Sequence, residues 1–403
     1  MIRYFFKLIR FLIKVDIEFK NPKLHNLLVY DDESIKDLND TILKDYKYFV
    51  LQTRVSNINK IYVTTEIFWK IIKYLKDNYK FIDAYFLALI EIINPKVVLT
   101  FIYNDFKFFK FAKLKYKKSK MHFVAIQNGS TYQIKENVYF YKKKQLNINM
   151  NKKWFIPHFF CHGKYDVRLY KKYNLQIKNF YPVGSLRLSR ALKKINLNIK
   201  SLKRKTYDIC LLSDYGAPRI KINNIKVNDA YVIYNGFLKL VKFSIKFAIE
   251  NKCKLIFLLK GKTGEIEWYK KNLKKIEFNY LMKNSSHKKE KKNITSYQIL
   301  LKSNLAISTM TTMLRENLSI NNKILSCNFT QNKIYDFPIN GISTINKICN
   351  YRYFEKRANL LLKMPRKKYL DKMRNRGKYL VNYNKEFSSI KLITNKLDNL
   401  LKI

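Results

Sequence analysis

The chain has 403 residues, 47% of them hydrophobic, enough for two medium-sized domains that each bury a core. Its 81 Lys and Arg residues against 29 Asp and Glu residues give a net charge of +52, which favours anionic partners such as nucleotide diphosphates and lipid phosphates. Gly and Pro are scarce while Lys, Asn, Ile, Tyr and Phe abound, the signature of an AT-rich coding sequence, so part of the charge reflects codon usage. The basic residues run along the whole chain and carry no RNA-recognition, helix-turn-helix or zinc-finger pattern, so nucleic acid is not expected as the main partner. No apolar run approaches the roughly 18 residues that span a bilayer.

Residues 1–14 place apolar side chains opposite Arg3, Lys7, Arg10 and Lys14. This is either a first helix packed on the core or one lying on an anionic membrane surface. Short strands follow at 27–30, 48–51 and 61–64, with helices near 65–78 and 80–93, the second stopped by Asn94-Pro95. The run Val97 to Ile102 reads as a buried parallel strand. A helix over 105–118, a strand over 122–126, a polar loop over 135–153, a strand over 155–161, a helix over 163–173 and a strand over 180–183 complete a first domain, residues 1–192. A Lys/Asn-rich linker is expected over 193–206. A second series covers 207–365, with strands at 207–212, 254–259, 278–282, 305–307 and 324–327. Its helices are expected at 228–250, 265–275, 294–302 and 311–320, and a helical segment, 366–403, ends the chain.

Alternating strands and helices predict α/β architecture: two doubly wound, Rossmann-like domains with parallel sheets facing a cleft, followed by C-terminal helices. Ligands in such sheets sit beyond the carboxyl ends of the strands. Gly129, Gly163, Gly184, Gly216 and Gly261 all follow predicted strands, where they serve either close ligand approach or tight turns. Four hydroxyl residues, Ser308, Thr309, Thr311 and Thr312, crowd the turn from strand 305–307 into the next helix. They suit a phosphate at a helix start, although one of them would suffice as an N-cap. Glu316, one turn on, is placed to accept from ribose hydroxyls. Lys260 ends another strand beside Gly261 without a Walker pattern, and Ser213 and Asp214 end a third.

In the first domain Asp105 and His162 are the candidate catalytic bases, each with a structural alternative as a helix cap or a strand end. Gln127, Asn128 and Gly129, with Gly184, Ser185 and Arg187, are candidate acceptor and sugar contacts. No Asp-X-Asp pair follows a strand and no metal-binding His-Glu-X-X-His occurs, so no metal is expected and the leaving group would be neutralised by basic side chains and helix ends. The five cysteines lack ligand spacing, and Cys161, Cys210, Cys253 and Cys327, inside apolar runs, fit a reducing cytoplasm as buried thiols.

Five short segments in this order resemble bacterial surface-carbohydrate (O-antigen and capsule) biosynthesis proteins of the GT-B type. They are Pro95–Thr100 with Asn104-Asp105, Ala125–Gly129, Phe159–Gly163, Tyr181–Arg187, and Ser308–Thr312 with Glu316. Teichoic-acid polyol-phosphate transferases look similar in layout. The resemblance implies a cytoplasmic or inner-membrane-peripheral glycosyltransferase. Its substrate would be a nucleotide-sugar donor, its acceptor a glycan or lipid-linked molecule, and it would need no cofactor. A CDP-polyol phosphotransferase and a non-catalytic binder of anionic lipid or RNA are the alternatives.

Overall fold

The computed structural model describes Ile13 and residues 15–33, 35–54, 56–130, 155–173, 175–195, 205–215, 229–286, 294–331, 333–346, 348–386 and 388–402. Gly216, the polar stretch 135–153, most of the linker and, apart from Ile13, the amphipathic start up to Lys14 lie outside them.

Fourteen strands are described: β1 Asp16–Glu18, β2 Leu27–Tyr30, β3 Tyr48–Leu51, β4 Lys60–Tyr62, β5 Val97–Thr100, β6 His122–Ile126, β7 Phe155–Cys161, β8 Gln176–Pro182, β9 Tyr207–Leu212, β10 Leu255–Leu258, β11 Ser285–Ser286, β12 Ser303–Ser308, β13 Lys323–Cys327 and β14 Thr344–Ile345. They form two six-stranded sheets, β3-β2-β5-β6-β7-β8 and β11-β10-β9-β12-β13-β14, plus a two-stranded ribbon, β1-β4. Every pairing in them is parallel. The buried apolar runs predicted this, since a strand covered on both faces needs no polar alternation.

In the first sheet Leu28 and Tyr30 turn to one core and Leu27 and Val29 to another, as the two-residue period requires. The first core is covered by the helices Thr65–Lys76, Phe81–Ile93 and Phe106–Lys118. The second is closed by Ile393, Leu397 and Leu400 of the last helix, Ser389–Lys402. The segment expected as a single C-terminal unit from 366 is thus divided. Tyr369, Met373 and Leu380 pack in the second domain's core, and the last helix returns to the first.

The strand expected at 278–282 is a helix, Lys275–Lys283. Phe278, Leu281 and Met282 meet the second core at helical spacing, so the apparent alternation of Phe278, Tyr280 and Met282 is incidental. Glu277 also caps the start, accepting from the Lys274 amide at 2.9 Å. The strand lies just beyond, at β11.

Candidate active site

The carboxyl ends of the two sheets face one cleft of about 470 Å³. Asn128, Gly129 and Arg187 line it from the first domain, and Ser213, Asp214, Lys260, Thr311, Thr312 and Glu316 from the second. These nine predicted residues come from five separate strand ends and are brought together only by the fold.

The turn after β12 is divided between two tasks. Ser308 and Thr309 are buried. Ser308 Oγ bonds to the Leu212 carbonyl and the Asp214 carboxylate, both at 2.8 Å. Asp214 Oδ2 accepts from the amides of Thr309 at 2.9 Å and Met310 at 3.3 Å. The protein's own carboxylate therefore takes the place expected for a phosphate at Ser308 and Thr309, which corrects that expectation. Thr311 and Thr312 lie one step on, at the start of the helix Thr312–Ser319, and do face the cleft. Thr311 makes no side-chain cap bond, so the positive end of this helix opens toward the cavity.

The loop after β10 is built alike. Glu265 accepts from the amides of Lys260 at 3.1 Å, Gly261 at 2.8 Å and Lys262 at 3.3 Å, and from Ser213 Oγ. An internal anion thus fills the amide nest, where the sequence suggested a phosphate loop. The loop presents side chains instead: Lys260 and Lys262 both line the cleft. Lys260 Nζ is 3.9 Å from Asp214 Oδ1.

Glu316 is buried, and its oxygens accept from Ser185 Oγ and, at 2.8 Å, from Tyr297 Oη. Burial pushes its carboxyl above the ordinary value. Ser185 belongs to the first domain, so this is a brace across the cleft floor. Thr312 Oγ1 adds a second tie by accepting from the Ser130 amide at 2.9 Å. The Arg315 guanidinium lies over the Tyr165 ring at 5.3 Å. Thr312, Arg315 and Glu316 share one helix face, and that face is the seam between the domains.

Further first-domain expectations are corrected. Asp105 caps the helix Phe106–Lys118, accepting from the Lys107 amide at 2.7 Å, and is not on the cleft wall. His162 is sealed inside; burial first, then the charge of Arg315, holds its pKa at about 3. Its amide donates to Gln127 Oε1 at 2.8 Å, and Gln127 Nε2 donates to the Gly129 carbonyl and Asp166, so Gln127 staples loops instead of meeting a sugar. Gly184 (φ +94°) and Gly163 admit the C-terminal segment. A Cβ would lie 2.2 Å from the Asn382 carbonyl oxygen at Gly184, and 2.6 Å from those of Leu380 and Tyr379 at Gly163.

Arg187 stays on the cleft wall, held by Asp37 at 3.0 Å, the Asn128 carbonyl at 3.2 Å and the Phe101 ring. Glu33 also lines the cleft, and the sequence reading missed it. It follows β2, where Asp31 adopts a left-handed φ of 76° and accepts from the Glu33 amide at 2.7 Å. Arg54 pairs with both Asp31 and Glu33. The run Asp31-Asp32-Glu33 after a strand, in a chain so poor in acids, was the available signal.

No family model matches the sequence, and no curated protein matches it. Among solved structures the chain is similar to a variant of the wall teichoic acid polymerase TagF, at 10% identity and TM-score 0.53, over 94% of this chain and 89% of that one. It is similar to sucrose-phosphate synthase from Thermosynechococcus elongatus, at 11% identity and TM-score 0.51, over 95% and 99%. It is also similar to Anabaena HepE in complex with UDP, at 8% identity and TM-score 0.51, over 94% and 100%. At these identities the likeness is one of fold: the chain is built on the GT-B plan of two Rossmann-like domains around a cleft.

Proposed function

We propose that the protein is a glycosyltransferase that moves a sugar from a nucleotide-activated donor to a surface-polysaccharide or lipid-linked acceptor. The observation that carries this is the division of labour across the cleft. The second-domain wall offers two lysines and an open helix start at Thr311, while the first-domain wall offers a carboxylate, Glu33, and the anchored Arg187. Lys260, Lys262 and the helix start would meet the charge of the leaving nucleoside diphosphate, a task for which the reading needs neither metal nor cofactor. Glu33, in place of Asp105 or His162, would take the acceptor hydroxyl proton. The acceptor oxygen then bonds to the anomeric carbon, the bond from that carbon to the diphosphate breaks, and the diphosphate leaves with its electron pair.

The test is a thermal-shift series with UDP, GDP, CMP and CDP, without divalent cations, on the wild type and on K260A/K262A. A nucleotide-selective shift reduced in the double variant is the expected result. CDP selectivity with transfer of glycerol phosphate would move the assignment to a polyol phosphotransferase. Binding that follows ionic strength alone, equal for all four nucleotides, would replace both with a non-catalytic anion binder.

A further inference from the structure

Among the described residues, nine of the fourteen exposed large hydrophobic side chains fall between Ile13 and Phe81, so they are concentrated in one stretch of the first domain. The helix Thr65–Lys76 explains much of this. Ile67, Ile71 and Tyr74 form its buried stripe. A second apolar stripe, exposed Phe68 and Leu75 with half-buried Ile72 between them, repeats the same spacing along the flank of the first, with exposed Trp69 beyond it. Phe68 is 57% and Trp69 67% exposed, and their rings pack edge to face at 5.8 Å. A helix that serves only as a surface element has one apolar stripe and a polar opposite face.

The neighbouring backbone extends the patch. Ribbon β1-β4 sets Phe19, 80% exposed, near Val63, whose amide bonds to the Glu18 carbonyl at 2.9 Å. Phe81, 65% exposed, opens the helix packed against Thr65–Lys76. The rim is basic: Lys73, Lys76 and Lys80 are exposed, as are Lys20 and Lys23 by Phe19. The acidic groups here are Asp77, Asp16, which is exposed on the ribbon opposite Lys60, Glu66, which is engaged by Asn21 and Lys70, and Glu18, which is engaged by Lys20 and Lys60. Aromatic and aliphatic side chains ringed by lysines fit the boundary between acyl chains and negative headgroups, where apolar burial and charge attraction add.

We propose that this face of the first domain, centred on Phe68, Trp69 and Leu75, docks on an anionic lipid bilayer. It is separate from the cleft and does not depend on the function assigned there. The full chain is floated with vesicles of phosphatidylcholine alone or containing phosphatidylglycerol. Binding should require the anionic lipid. It should fall at least about tenfold in F68S/W69S/L75S and in K73E/K76E/K80E, with melting temperatures that show both variants folded. Brominated lipid should quench the wild-type tryptophan fluorescence and spare W69F. The proposal is overturned if both triple variants float like the wild type, or if binding is lost only on deleting residues 1–14. A dimer that F68S/W69S/L75S dissociates, with no vesicle binding by the wild type, would also overturn it.

Discussion

At the residue scale, the decisive contrast is between carboxylates that satisfy the protein and one that faces the cavity partly exposed. Asp214, Glu265 and Glu316 are each spent on amides or hydroxyls of the chain. Glu33 keeps an exposed carboxylate on the acceptor side. Replacing Glu33 by Gln should lower the transfer rate by about 10²- to 10⁴-fold, the span of general-base catalysis, with the nucleotide thermal shift unchanged. A rate within a factor of two of wild type would remove Glu33 as the base. A second residue-scale prediction concerns His158, whose ring lies between His122 at 3.3 Å and the Tyr181 hydroxyl at 3.1 Å. Burial, reinforced by His122 and Lys396, holds its pKa at about 4 against the ordinary 6.5. Between those values the unfolded chain binds the proton and the folded chain does not. Stability is therefore whole above pH 6.5 and drains as pH falls toward 4. The melting temperature of H158F should fall less over that interval than that of the wild type. Asp166, raised to about 6 by burial, acts with the opposite sign in both proteins and cancels in the comparison.

At the element scale, both cleft loops of the second domain are shaped by an internal anion. Glu265→Gln replaces one accepting oxygen with an amide group that faces backbone donors. It should cost about 1–3 kcal/mol of stability, read by denaturant titration, and weaken nucleotide binding because Lys260 and Lys262 lose their fixed backbone. An unchanged affinity would show that the loop holds its shape without the carboxylate. Gly184 matters for a different reason. Its positive φ and the Asn382 carbonyl leave no space for a side chain, so Gly184→Ala should lower stability by more than about 1 kcal/mol. It should also expose the crossing segment near Asn382 to protease.

At the scale of the whole molecule, the two domains are bound by chain crossings as well as by the seam helix. The C-terminal segment runs past Gly163 and Gly184, bonds from the Asn382 amide to the His162 carbonyl at 2.7 Å, and ends in the first domain's core. Leu397→Ala should cost about 2–5 kcal/mol, as for other large core truncations, and first-domain peptides should be the ones that gain hydrogen exchange. Exchange confined to the second domain would contradict this packing. Among the described residues no helix is long and apolar enough to cross a membrane.

Much of the architecture was legible because it is written locally. Buried parallel strands are continuous apolar runs, helices carry their own period, and the β-α alternation that yields two parallel sheets needs no long-range information. The strand ends were legible too, which is why Arg187, Asp214, Lys260, Thr311 and Thr312 were expected at the edge where they line the cleft. What each of them does there depends on partners dozens to hundreds of residues away. Asp214 reaches the amides after Ser308, Glu316 meets Ser185, and Asn382 approaches Gly184. A strand end marks the edge where a ligand can bind, but burial and the nearest opposite group decide whether that place is already filled. Those are properties of packing, and only the tertiary structure sets them.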